Sequence, residues 1–249
     1  RRRSSRKTVP TPVATVMVTD ITMNIDHLQL AQLLQLTSPS LPIGGFAWSQ
    51  GTESAIDQGW LKGEDDFGDW LQGILHTGFV GQELPLLRKL VDAWQQQDQA
   101  QIEYWTRYSL ALRETRELYQ EDIQMGAALM RLTRDLEYPG ALQWQSWQHK
   151  QVSYLTAFAM VAVANNIPFD AAATGLLWSW LENQIAAALK TFPMGQTAGQ
   201  RIFQRLVHAV PDWIEQSKQV ADDHIGLSLP GVVLASMQHE RQYSRLFRS

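Results

Sequence analysis

Phe67, Trp70, Leu71, Ile74, Leu75 and Gly78 recur at i, i+3, i+4, i+7, i+8 and i+11. That spacing puts every one of these side chains on a single stripe of a helix. The stripe must then be buried against another element. The same 3.6-residue period runs through almost the whole chain from Asn24 onward, and alternating strand patterns are nearly absent after Met23. No βαβ alternation supports a parallel sheet. With 249 residues, the chain is long enough for a core that needs no covalent staples. The expected fold is all-α, a single-domain bundle of about ten helices over residues 23–249.

Residues 1–22 differ from the rest. They carry Arg1, Arg2, Arg3, Arg6 and Lys7 against Asp20, with two prolines and a short Val/Thr alternation. They lack a helical period and the apolar run of a secretory signal, so a disordered or non-native extension is expected there. The net charge of −4 therefore understates the acidity of the body, which argues against nucleic acid as the main partner. No run approaches the ~20 apolar residues of a membrane span. The chain has no cysteine. Thiolate metal sites are excluded, and the absence fits a reducing, cytoplasmic setting.

Helices are expected over Asn24–Leu36, Asp65–Gly78 and about Leu84–Trp94. Ile102–Leu118 and Asp122–Glu137 read as two helices or one kinked rod, closed by Pro139-Gly140. The run "LQWQSWQHKQVSYLTAFAMVAVA" reads as helical up to Asn165-Asn166. Pro168 can open an Ala/Gly-rich helix over Phe169–Lys190. Its small residues suit either a core or an interface, with Trp178 and Trp180 as possible anchors. Helices near 196–209, 211–220 and 231–242 complete the chain.

Residues 38–55, "SPSLPIGGFAWSQGTESA", hold two prolines and adjacent glycines between helices. A phosphate loop would need spaced glycines, a following Lys and a preceding strand, and this stretch has none of them. Pro39 and Pro42 stop a helix, Gly44 and Gly45 allow positive φ, and Ser49 can cap a helix containing Gly51–Ile56. Asp65, Asp66 and Asp69 imitate the magnesium–diphosphate motif of helical isoprenoid synthases. This leaves a magnesium-dependent diphosphate enzyme as the alternative function. Acidic residues also suit the first turn of a helix, and no second acidic motif follows. His239-Glu240 opens like a zincin helix, but Tyr243 stands where the second His belongs. "RETRE" at 113–117 has the charge spacing of a solvated helix face. The last segment, "RQYSRLFRS", mixes Arg241, Arg245 and Arg248 with Tyr243, Leu246 and Phe247, a composition of interfaces or of a frayed end. No catalytic constellation emerges.

"LPIGGFAWSQGTESA" (41–55), "RETREL" (113–118), "LKTFPMGQTAGQ" (189–200) and "QHERQYSRLFRS" (238–249) stand in this order. In sequence and order they resemble the UreF family of urease accessory proteins, from about Leu28 to Ser249. Thr52 departs from the pattern, which commonly has Leu there. The resemblance implies a non-enzymatic homodimer engaged in nickel handling; the residues themselves offer no cofactor, catalytic or metal-ligand set. It implies binding to UreD (UreH in some organisms) and to the GTPase UreG on apo-urease, where nickel insertion is promoted and the GTPase gated or coupled. A nickel tunnel through UreD and UreF has been proposed for such complexes. By the family pattern, Pro42, Gly44, Ser49 and Gly51 are structural loop positions. The expected partner contacts are Glu53, Trp178, Lys190, Tyr243, Ser244, Arg245, Leu246 and Phe247, with the tail from Tyr243 loosely held until a partner supplies acceptors for its arginines.

Overall fold

The computed structural model describes residues 25–146 and 151–249. The 1–22 extension expected above lies outside them. Among the described residues the structure is all-α, with twelve α-helices and no strand. Helix α1 is His27–Leu36, α2 Thr52–Asp57, α3 Glu64–Gly73 and α4 Leu84–Gln95. Then follow α5 Gln99–Ala111, α6 Arg116–Asp135, α7 Pro139–Ser146 and α8 Tyr154–Ala164. The chain ends with α9 Phe169–Thr191, α10 Gln196–Val207, α11 Val210–Ser217 and α12 Pro230–His239.

Sequence chemistry sets the boundaries. Asp26 and Gln29 form a reciprocal capping box at α1. Asp98, Thr115 and Ser153 accept the third-residue N–H of α5, α6 and α8. Thr115 therefore separates α5 from α6, and no kinked rod joins them. Ser153 likewise starts α8 afresh, so the long run expected to be continuous from Leu142 is divided. Pro139 opens α7, where a first-turn proline gives up only an orphan donor.

The reverse holds at α3 and α4, which were expected to be separate. They join through a π-helical stretch, Ile74–Glu83, into one rod. A proline inside a rod removes a ladder bond and its ring crowds the carbonyl one turn back. The wider π turns lie directly ahead of Pro85. They also bring Gly78 and Gly81 to the surface of the rod, where Leu229 and Leu227 lie so close that a Cβ would meet them at 2.8 and 2.7 Å.

Helix α8 is the centre of the bundle. Leu155 to Ala162 are all buried, so this helix is apolar on every side, as a fully enclosed helix must be. It packs on α4 and α6. Gly126 of α6 permits the approach, because a Cβ there would lie 2.4 Å from the Val152 carbonyl oxygen. Helix α9 is largely a core helix, with Ala171, Ala172, Ala173, Ala187 and Ala188 buried against α2, α10 and α11. No helix of the described residues is long and apolar enough to cross a membrane. The expected consequence of the α6–α8 contact is that Gly126→Ala destabilises the protein by about 1–3 kcal/mol, the usual cost of overpacking. Denaturant unfolding measures this, and an unchanged midpoint would contradict it.

Candidate functional site

Glu53 lies in the first turn of α2 and is 5% exposed. Its carboxylate accepts the backbone N–H of Leu246 at 2.8 Å and that of Phe247 at 3.0 Å. The second oxygen also faces Nε2 of His239 at 3.2 Å. His239 is fully buried, and its Nδ1 faces Glu117 at 2.8 Å. Glu117 in turn accepts from Arg245 at 3.0 Å. Each His239 ring nitrogen thus faces one carboxylate, and Arg245 brings a cation to the Glu117 side. Burial pushes the Glu117 carboxyl up, while His239 and Arg245 pull against that rise.

The stretch 44–51 grips the far end of the same tail. Ala47 accepts the N–H of Arg248 at 2.8 Å, and Ser49 N–H donates to the Ser249 carbonyl at 3.1 Å. The Ser49 hydroxyl donates to that same oxygen. The hydroxyl also accepts the Glu53 N–H at 3.3 Å, so it does cap the first turn of α2. Gly44 and Gly51 both have φ of 79°, a conformation L side chains resist. At Gly51 a Cβ would also lie 3.0 Å from the Ser236 nitrogen, so α2 could not sit against α12 with any larger residue. Pro42 is exposed. The loop thus fixes the direction of α2 and pairs with the tail.

Several expectations are corrected here. Glu53, expected as a partner contact, is buried, and its carboxylate is taken up inside the chain. The tail is not loosely held and its arginines do not lack acceptors. Arg245 has Glu117, and Arg248 donates to Gln124 and stands 5.8 Å over the Trp48 ring. Phe247 is buried, with Lys190 5.6 Å from its ring centre. "RETRE" is not a solvated face. Arg113 precedes the Thr115 cap and turns inward, giving both terminal nitrogens to Glu83 at 2.5 and 3.0 Å and Nε to Asp122 at 2.7 Å. Burial opposes ionisation of Glu83, but Arg113 outweighs it and holds the carboxyl below its usual range. Asp122 also accepts the Tyr154 N–H at the start of α8. His239, passed over as a failed zincin, is the centre of the clasp.

The other singled-out residues are placed as follows. Tyr243, Ser244 and Leu246 are exposed, Tyr243 completely and Leu246 at 70%. Trp178 is half-buried and packs edge-on against Phe203 of α10. Asp65, Asp66 and Asp69 are exposed in the first turns of α3. Asp66 accepts the Lys62 N–H and Asp69 pairs with Arg205 at 3.5 Å. Among the described residues no group of His, Asp or Glu is arranged to hold a metal ion. Thr52, the departure from the family pattern, is fully buried. Its hydroxyl donates to Gln184 at 2.7 Å and accepts from Trp70 at 3.3 Å, so the polar atom is satisfied.

The UreF family model matches residues 61–207. A urease accessory protein UreF of Hahella chejuensis is 46% identical over 222 residues, covering 89% of this chain and 99% of the relative. That of Pseudoalteromonas translucida is 44% identical over 89% of this chain and 95% of its own length. That of Chromohalobacter salexigens is 42% identical over 94% and 100%. The chain belongs to the UreF family of urease accessory proteins. Both parts of the clasp were legible as UreF-like segments, but their mutual contact was not, since Glu53 and Phe247 are 194 residues apart. For the Arg113 cluster, Arg113→Met should destabilise this UreF-family chain by about 3–5 kcal/mol, because it leaves Glu83 and Asp122 buried without a counter-charge. Denaturant unfolding at neutral pH measures the loss, and a change under about 1 kcal/mol would contradict the assignment.

Proposed function

We propose that the chain is a non-catalytic maturation factor that joins UreD (UreH) and the GTPase UreG on apo-urease and promotes nickel insertion. In this reading the nickel is cargo, and the chain works as a cytoplasmic homodimer that gates or couples the GTPase. Family membership supports the urease context. One observation supports a particular surface: the tail is anchored by Glu53, Glu117 and Ser49 while Tyr243 and Leu246 point outward. An exposed aromatic and leucine on a rigid backbone can be buried by a partner with little ordering cost. Helix α12, which leads into the tail, adds Leu234 and Met237, each 51% exposed. The proposed partner contacts are therefore Tyr243, Ser244 and Leu246 for UreD. Arg245, Phe247 and Lys190 hold these residues in place, and Trp178 remains a contact on the α9–α10 side.

The test is co-purification from cells expressing the urease genes. Tyr243→Ala with Leu246→Ala should leave the melting temperature unchanged, since neither side chain is buried. The double variant should lower UreD recovery and urease activation at least tenfold, the size expected for losing hot-spot residues. Full recovery of UreD with this variant would refute the assignment of the surface.

A further inference from the structure

A cavity of about 270 Å³ lies between the π-helical stretch, α6, α8 and α9, and Gly45, Phe46 and Gln50 of the 44–51 stretch also line it. Its walls are mainly apolar, with Leu36, Ile74, Leu118, Leu155 and Leu176 among them. Phe79 and Trp180, whose ring centres are 5.1 Å apart, form an aromatic side. Five carboxyl groups also line it: Glu83, Glu114, Glu121, Asp122 and Glu182. Arg113 offsets Glu83 and Asp122. Glu121 and Glu182 have no cation paired with them among the described ion pairs. Glu121 is 6% exposed. One oxygen accepts from Gln50 at 2.8 Å, and the other is buried with no hydrogen-bond partner. A buried carboxylate oxygen without a donor is costly, and it is satisfied when a donor arrives. An apolar, partly aromatic chamber with a surplus of carboxyl groups fits a donor that is cationic and carries an apolar body.

We propose that this cavity binds a small organic ammonium ion, with its N–H on the free Glu121 oxygen and its apolar body against Phe79 and Trp180. The site is independent of the partner assignments above. Binding is coupled to a proton. Burial holds the Glu121 carboxyl up at about 8, with Gln50 and Arg113 pulling down and Asp122 and Glu83 pushing up. The other titratable groups on the cavity wall are Glu182, whose carboxyl burial raises, Tyr154, whose hydroxyl burial also raises, and Glu114. Below pH 8 the empty site is protonated at Glu121, and the cation must displace that proton to pair with a carboxylate. Each unit of falling pH then weakens binding about tenfold.

Calorimetric titration of the full chain with 2-phenylethylamine decides it, since this amine stays charged from pH 6 to 8 as a lysine side chain does. The expected result is saturable binding that tightens about tenfold per pH unit up to about pH 8, with release of about one proton per ligand. The neutral isostere 2-phenylethanol should bind at least tenfold more weakly at pH 8 and without pH dependence. Glu121→Gln keeps the size and the Gln50 contact. It should weaken amine binding at least tenfold and abolish proton release, with an unchanged helical spectrum. Equal binding of the alcohol, pH-independent amine binding, or no saturable binding at millimolar amine would overturn the proposal. So would displacement of the amine by magnesium ion at equal concentration, which would make this an inorganic cation site. The proton count is read on the unaltered chain, so it decides even if the variant misfolds.

Discussion

The arrangement of this end of the molecule depends on one carboxylate. Glu53 accepts two successive backbone N–H groups of the tail and faces His239 of α12. Two N–H donors converging on a charged acceptor fix a chain segment in both position and direction. Everything else in the clasp follows from that anchor. Phe247 is turned inward, its neighbours Leu246 and Tyr243 are turned outward, and Arg245 lands on Glu117. The glycine at position 51 is the precondition, because only its bare backbone lets α2 carry Glu53 against α12.

Buried charge is handled in the same way in two places. At the clasp, two carboxylates flank the His239 ring and one of them meets a guanidinium. Near the bundle centre, Arg113 is clamped between Glu83 of the π-helical stretch and Asp122 of α6. Such clusters add little net stability over apolar packing, but removing one member is expensive. They therefore specify which elements meet. Arg113 ties the π-helical stretch to α6, and Asp122 extends the tie to α8. Glu53, His239 and Glu117 tie α2, α12 and α6 to the tail.

The all-α class was legible because burial of a helix stripe leaves a 3.6-residue signature that needs no tertiary information. Most helix positions followed from it, as α3, α9, α10 and α11 illustrate. What failed was local reading of residues whose partners are distant. "RETRE" has ideal spacing for an exposed helix, yet Thr115 caps the helix after Arg113, so Arg113 sits on the turn and enters the interior. The tail arginines looked unpaired because their acceptors, Glu117 and Gln124, are more than a hundred positions away. The π-helical join was hidden because the apolar period breaks between Gly78 and Leu84, where the wider π turns shift the register. Only the resemblance to a family marked the 41–55 and 238–249 segments together, and it could not say that Glu53 binds the tail itself.

Amide hydrogen exchange of the free protein tests the central claim most directly. If Glu53 holds the tail, the Leu246 and Phe247 amides should exchange far more slowly than that of exposed Ser244. Glu53→Gln, which keeps the size but turns half of the acceptor into a donor, should bring both to the Ser244 rate while the amides of α8 stay protected. Rapid exchange at Leu246 and Phe247 in the unaltered protein would contradict the account.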